Sequence, residues 1–66
     1  MATFENSSHV ASATWEAGTL LVTFKNGSQY EFWDVPPGLL PEWESAQSAG
    51  KFFNAEIKGK YQGAKV

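Results

Sequence analysis

An Asn-Gly pair between two strand-like runs constrains the fold of this chain more than any other feature. Residues 20–24 and 29–33 are rich in β-branched and aromatic side chains, and Asn26-Gly27 lies between them. This dipeptide, flanked by apolar runs, is the strongest short-range signal for a β-hairpin. We therefore expect the core to be built on an antiparallel hairpin, with the other segments packed around it.

The register of this hairpin follows from which side chains it would bury. A three-residue loop, with Gly27 in the left-handed conformation, pairs Val22 with Tyr30 and Leu20 with Phe32. That pairing places the large apolar side chains on one face, whereas a two-residue loop mixes polar and apolar residues on both faces. We expect the three-residue loop, because burial selects the register with one apolar face. The opposite face is then mostly polar.

The segments on either side of the hairpin indicate one further strand and two helices. Residues 10–15 predict a first strand, and their imperfect alternation is typical of a bulge or a short edge strand. Two consecutive prolines end the sheet. Residues 39–46 and about 49–58 then have the apolar spacing of helices, and Ser48 is a good cap for the second. The predicted fold is α+β, a small antiparallel three-stranded sheet (β-β-β-α-α) covered on one face by two short helices.

The length of the chain limits it to one domain. It has 66 residues and no cysteine, which excludes a two-domain enzyme and a disulfide-stapled secreted scaffold. We expect a single domain over residues 1–66, with a polar lead-in at 1–8 and a flexible tail at 62–66. No apolar run approaches the ~18 residues of a membrane span, and no signal peptide is visible. A cytoplasmic protein without membrane contact is expected.

Several short motifs follow one another in a characteristic order over about residues 7–61. They are Ser7-Ser8-His9-Val10, Leu20-x-Val22-x-Phe24, Asn26-Gly27, Tyr30-x-Phe32, Val35-Pro36, Ala46-x-Ser48-x-Gly50, Phe52-Phe53-Asn54 and Ile57-x-x-x-Tyr61. Their order and spacing resemble the KTSC domain, a family named for its occurrence at the C-termini of some lysyl-tRNA synthetases. The resemblance implies a small domain that also occurs as free-standing bacterial and phage proteins. The family has no settled function, and RNA binding has been suggested for it.

Catalytic and metal chemistry have few candidate residues. His9 is the only histidine and there is no cysteine, so a nucleophile–histidine arrangement would rest entirely on His9. The carboxylates show none of the spacings that mark zinc or calcium sites. We therefore expect neither an enzyme nor a metal site or cofactor, and we interpret His9 as solvated or capping.

The start of the second helix is the strongest candidate for a ligand site. Ser48, Gly50 and Lys51 combine a cap, a small residue and a cation where exposed N–H groups can donate hydrogen bonds to phosphate or carboxylate. The predicted neighbours that would add hydroxyls are Ser7, Ser8 and Tyr30. A structural interpretation is also open, in which Ser48 only caps the helix, Gly50 permits close packing and the two serines form a local turn.

Charge is unevenly distributed along the chain. The net charge is −2, yet four of the five lysines lie in the last sixteen residues, where there is only one acid. The chain contains no arginine, the usual residue for bidentate contact with phosphate. We therefore expect a weakly basic end on an acidic body, and we do not expect tight non-specific binding to nucleic acid.

Two hypotheses of function follow from these patterns. The first is a non-catalytic small binding module whose ligand carries phosphate, either a nucleotide-like molecule or an RNA end. The alternative is a protein–protein interaction or homo-oligomeric accessory protein, such as a phage-encoded inhibitor. It would use Leu21 and Trp33 on the free face of the sheet. The other interpretation of Trp33 is that it packs over the proline corner and is buried.

Overall fold

The structure is a computed structural model that describes residues 2–4, 7 and 9–66. Its strands are β1 (Ala2–Thr3), β2 (Val10–Glu16), β3 (Thr19–Phe24), β4 (Gln29–Phe32) and β5 (Gly63–Lys65). Its helices are α1 (Leu39–Glu44) and α2 (Ala49–Phe52), and α2 continues directly into a π-helical segment (Phe53–Ile57). The predicted α+β class is confirmed.

The strands form one antiparallel sheet whose spatial order, β1-β2-β3-β4-β5, follows the order of the chain. The register predicted for the central hairpin is confirmed, because Val22 pairs with Tyr30 and Leu20 pairs with Phe32. Gly27 has a φ of +92° and supplies the left-handed residue of the three-residue loop. The buried side chains of this hairpin belong to the same core cluster as those of the helices, so its apolar face points at the helices.

The sheet has two strands more than the three that the sequence predicts. The tail expected to be flexible contains β5, which lies along β4 so that Lys65 pairs with Tyr30. The N–H of Trp33 also donates to the carbonyl of Gln62 at 2.9 Å. The lead-in contains β1, which pairs with β2. Strands of two and three residues are too short to show an alternating pattern, so the sequence predicts neither.

The irregular alternation of β2 is a bulge, one of the two features that its sequence indicates. The register against β3 shifts between Val10 and Ser12. Because of this shift, Val10 and Ala13 are both buried although they are three residues apart. The bulge therefore lets one irregular strand contribute to the core at both of its ends.

The core lies between one face of the sheet and the helices, with Trp43 at its centre. The Trp43 ring lies 4.5 Å from that of Phe4 and 5.9 Å from that of Phe53, and its Nε1 donates to the carbonyl of Ala49 at 3.0 Å. The buried apolar residues are Phe4, Val10, Ala13, Leu20, Val22, Phe32, Val35, Leu39, Leu40, Trp43, Phe53 and Ile57. Much of the aromatic content therefore builds the core.

The second helix begins as predicted but changes its form halfway. The side chain of Ser48 caps it by accepting a hydrogen bond from the N–H of Lys51 at 3.3 Å. Beyond Phe52 the helix is π-helical, and the N–H of Lys58 donates to the carbonyl of Phe53 at 2.8 Å. No helix of the described residues is long and apolar enough to cross a membrane.

Candidate functional site

The structure divides the predicted ligand-site residues between two depressions. Ser7, Ser48, Gly50 and Lys51 line a cleft of about 460 Å³ at the start of α2, which we call the cap cleft. Tyr30 lines a separate and larger groove beside β5. The predicted cluster is therefore brought together only in part.

The serine hydroxyls of the cap cleft accept hydrogen bonds from backbone N–H groups. Ser7 Oγ accepts hydrogen bonds from the N–H groups of His9 (3.2 Å) and Val10 (3.0 Å), which is the local turn that the sequence also allows. Ser48 Oγ accepts from the N–H of Lys51. Both oxygens therefore stabilise the local backbone, whether or not a ligand binds near them.

The charge of the cap cleft is mixed. Glu44 lines it together with Lys51, and a carboxylate in the same cleft reduces the attraction for an anion. His9 is exposed at the same cleft. Within the described residues, no group of three or more His, Cys, Asp or Glu side chains is placed to hold a metal ion. The predicted contribution of Ser8 lies outside the described residues.

The larger depression, which we call the aromatic groove, lies between β5 and the end of the π-helical segment and has a volume of about 830 Å³. Six of the thirteen residues that line it are aromatic. Its lining residues are Phe24, Tyr30, Phe32, Trp33, Phe53 and Tyr61, together with Asn26, Ser28, Lys58, Gln62, Gly63, Ala64 and Lys65. The groove therefore draws on β3, β4, β5, the β3–β4 loop and the second helix.

Edge-to-face contacts fix the rings at the base of the groove. The ring of Phe24 lies 5.5 Å from that of Tyr30 and 5.3 Å from that of Phe53, both at an interplanar angle of 84°. Tyr30 and Tyr61 are half-buried, and the Trp33 residue is 42% exposed. Part of the aromatic surface is therefore held in place by packing while remaining open to solvent.

Two lysines supply the charge of the aromatic groove. Lys58 and Lys65 are exposed, and among the described residues no carboxylate lines the groove. Lys60, close by in sequence, differs because its Nζ forms an ion pair with Glu56 at 2.9 Å. That hydrogen bond raises the pKa of Lys60. The groove is therefore cationic as well as aromatic.

Gly63 allows β5 to form one wall of the groove. A Cβ atom at this position would overlap the backbone carbonyl oxygen of Glu31 and lie 2.7 Å from Cδ1 of Phe32. The carbonyl oxygen belongs to the backbone of β4, so rotation of a side chain cannot relieve this overlap. A side chain at position 63 would therefore hold β5 away from β4.

The sequence gives only a partial signal for this groove. The sequence shows that lysines such as Lys58 and Lys65 are concentrated near the C-terminus. It does not show that these two lysines line a groove with aromatic side chains. Their position near Tyr30 depends on the pairing of β4 with β5. A strand of three residues is too short to predict that pairing from a periodic pattern. The aromatic groove is thus a product of tertiary structure.

The two residues predicted for an interaction surface do not share a depression. Leu21 is half-buried in a shallow depression of about 380 Å³ on the uncovered sheet face, where Glu31 also lies. Trp33 lines the aromatic groove, and its exposure contradicts the interpretation that it is buried at the proline corner. Trp15 is the residue that reaches that corner, since its Nε1 donates to the carbonyl of Val35 at 2.8 Å.

Comparisons with known proteins agree on one family. The family model of the KTSC domain matches residues 6–61. Two lysine–tRNA ligases, from Nostoc punctiforme and Trichormus variabilis, are 43% and 41% identical to this chain over 44 residues. That segment is 67% of this chain but 8% of each ligase, so the chain is similar to a small part of those proteins.

The fold is similar to that of a solved structure over its whole length. The crystal structure of a KTSC domain protein from Yersinia pestis superposes with a TM-score of 0.83 and 29% sequence identity. The match covers 100% of this chain and 96% of the other. With a family match over most of its residues and this agreement in fold, the chain belongs to the KTSC domain family.

Proposed function

We propose that this protein is a non-catalytic binding module whose ligand carries phosphate and a flat ring, such as a nucleotide-like molecule or the end of an RNA. The ligand binds in the aromatic groove. The observation that carries this proposal is the combination of partly exposed aromatic rings with two lysines and no lining carboxylate among the described residues. We also propose that the protein acts in the cytoplasm.

The chemistry of the groove matches the two halves of a nucleotide. Base–aromatic stacking contributes roughly 1–3 kcal/mol per base, and Tyr30, Tyr61 and Trp33 present ring surface to solvent. Lys58 and Lys65 attract the phosphate as point charges. The volume of about 830 Å³ is within the usual range of small-molecule sites. The groove can therefore hold a base and a phosphate at once.

The comparisons support an RNA-related ligand over other phosphate compounds. The matched relatives are named lysine–tRNA ligases. A segment similar to this chain therefore occurs in proteins whose name refers to tRNA. Because the shared segment is 8% of their length, their ligase activity is not proposed for this chain. Binding without chemistry is the simpler role for a domain of this size.

The test is a titration with adenosine monophosphate, followed by two-dimensional NMR of the backbone amides. We expect saturable shifts at the groove, and we expect Lys58→Gln to weaken binding severalfold because it removes one of two cations. Lys60→Gln is the matched control, since it removes the same charge two residues away from a side chain already paired with Glu56. It should change the affinity little.

Two results would contradict this proposal. One is the absence of saturable shifts at Tyr30, Tyr61 and Trp33. The other is an equal affinity for the Lys58→Gln and Lys60→Gln variants. Adenosine and inorganic phosphate, titrated separately, show whether the ring and the phosphate both contribute, as the proposal requires.

A second candidate function is the interaction module that the sequence also indicates. The exposure of Trp33, at 42%, favours it, because a large exposed aromatic side chain is typical of interfaces. Leu21 adds little, since it is half-buried in a different depression. The two candidates differ in whether Trp33 contacts a small ligand or another protein chain.

A further inference from the structure

β5 forms one edge of the sheet. It stands last in the strand order, and within the described residues no strand lies beyond it. Its residues are all exposed. An edge strand presents backbone N–H and C=O groups that have no partner in the sheet, and these groups are a template for pairing with a strand of another chain. The outer side of β5 is therefore a candidate docking edge.

Two hydrogen bonds show which backbone groups of β5 are directed at β4. The N–H of Trp33 donates to the carbonyl of Gln62, and the N–H of Val66 donates to the carbonyl of Gln29, both at 2.9 Å. In an antiparallel pair, residues that exchange backbone hydrogen bonds alternate with residues that do not. Ala64, midway between Gln62 and Val66, therefore also directs its N–H and C=O at β4.

Gly63 and Lys65 direct their backbone groups outward. They occupy the alternate positions of β5, opposite Phe32 and Tyr30, so their N–H and C=O groups point away from β4. Each supplies one donor and one acceptor. A strand laid antiparallel along β5, as all neighbouring strands of this sheet are, would exchange hydrogen bonds with both residues.

Around this edge, the face of the sheet that lines the aromatic groove is positively charged. Lys65 and the exposed Lys58 line the groove, and among the described residues no carboxylate does. Ala64 pairs with Glu31, so both side chains project to the uncovered face. A strand added to β5 is therefore favoured when it carries an acidic side chain opposite Lys65 and a neutral one opposite Ala64.

The position opposite Gly63 favours an aromatic side chain. Gly63 and Lys65 are two residues apart, so their partners in an added strand project to the same face. Gly63 leaves its backbone uncovered on that face, and it lines the aromatic groove together with Tyr61. A ring at this position covers the glycine backbone and packs against the rings of the groove.

We infer that the outer edge of β5 binds an extended segment of a partner protein in which an acidic residue precedes an aromatic residue by two positions. Antiparallel pairing fixes this order, because the residue opposite Lys65 comes before the residue opposite Gly63. Main-chain hydrogen bonds hold the segment, and the two side chains select it. A second copy of β5 fits poorly, since pairing two such strands around Ala64 brings both Lys65 side chains onto one face. The inference goes beyond the proposed function and does not depend on nucleotide binding.

The experiment titrates the protein with a pentapeptide blocked at both ends, Thr-Glu-Thr-Phe-Thr, and follows hydrogen exchange of the backbone amides. Binding should be saturable. It should raise the protection of the Gly63 and Lys65 amides more than that of the Ala64 amide, because the Ala64 amide is already directed at β4 in the free protein.

Two matched peptides separate strand addition from simple attraction of charges. The first carries N-methyl groups on its glutamate and phenylalanine, which removes the donors that reach β5 and leaves the side chains unchanged. The second, Thr-Phe-Thr-Glu-Thr, has the same composition in the reverse order. Both should bind severalfold more weakly than the first pentapeptide. Equal affinity of either peptide overturns the inference.

A variant of the protein tests the charge at the edge. Lys65→Gln should weaken binding of Thr-Glu-Thr-Phe-Thr severalfold, and it should fold because the Lys65 side chain is exposed. Lys60→Gln is the matched control, since Lys60 is paired with Glu56, and it should change the affinity little. Equal affinities of the two variants, or no saturable binding of the peptide, overturn the inference. These outcomes leave the proposed function to the separate titration with adenosine monophosphate.

Discussion

Ala17 is held in a left-handed backbone conformation that alanine seldom adopts. It has a φ of +50° and is followed by Gly18 at +88° in the turn between β2 and β3. Two consecutive positive φ values are typical of a type I′ hairpin turn, in which Asn-Gly is preferred. A left-handed residue with a Cβ costs roughly 1–2 kcal/mol, and asparagine tolerates this conformation better. The turn is therefore a local source of strain.

Ala17→Asn should raise the free energy of unfolding by about 0.5–1 kcal/mol, because asparagine relieves part of this strain. Ala17→Val should lower the free energy of unfolding, since a β-branched side chain fits a positive φ poorly. Urea denaturation of the three proteins measures both changes. Equal stabilities, or a valine variant more stable than the asparagine variant, would show that the turn is not strained.

Ser48 offers a test that separates capping from ligand binding. Ser48→Ala should lower the free energy of unfolding by about 1 kcal/mol, because the N–H of Lys51 loses its capping oxygen. Ser48→Asp keeps a capping oxygen and should restore the stability, but it adds a negative charge to the cap cleft. Affinity for adenosine monophosphate should be the same in the aspartate variant as in the wild type. A loss of that affinity would move the mononucleotide site from the aromatic groove to the cap cleft.

At the level of elements, β5 determines whether the aromatic groove has its outer wall. Gly63→Ala should separate β5 from β4, because the added Cβ overlaps the carbonyl oxygen of Glu31. The amides of Trp33 and Val66, which donate to the carbonyls of Gln62 and Gln29, should then lose protection against hydrogen exchange. Affinity for the mononucleotide should fall in parallel.

Gly59→Ala is the control for this variant. Nothing lies within 4 Å of the position that its Cβ would take, and its φ is not positive. The substitution should leave hydrogen exchange at the β4–β5 edge unchanged. Normal protection in the Gly63→Ala variant would mean that β5 tolerates a side chain at this position.

The elements that the sequence predicts are those whose side chains decide their placement. The hairpin register is predictable because alternate residues such as Leu20 and Val22 must all be buried. β5 carries no such pattern, and its pairing with β4 depends on how residues 33–62 fold. The sequence does not predict the π-helical segment either, because Phe53 and Ile57 have the four-residue spacing of an α-helix. The same limits apply to the candidate site, where the lysines are visible in the sequence but the groove they line is not.

At the level of the whole molecule, the two candidate functions differ in whether Trp33 contacts a second copy of the chain. We expect sedimentation equilibrium over a concentration series to give the mass of one chain for the wild type and for Trp33→Ala. The variant should nevertheless bind the mononucleotide less tightly, because it loses ring surface in the groove. Leu21→Ala, on the uncovered sheet face, is the matched control and should affect neither measurement.

The opposite result would favour the interaction module. A wild-type mass that rises with concentration, together with a constant mass for Trp33→Ala, would place Trp33 in an interface between copies. The net charge of −2 agrees with the expected monomer, because it makes identical chains repel one another weakly.

The strand order of the sheet also has a consequence for the order of folding. Each of the pairs β2–β3 and β3–β4 is joined by a tight turn, so it forms with little loss of chain entropy. The pair β4–β5 instead closes a loop of residues 33–62 that contains both helices. The outer wall of the groove should therefore form last and open first in native-state fluctuations. A ligand that bridges the helix and β5 would slow this opening, and the protein would retain its last strand for longer when the ligand is bound.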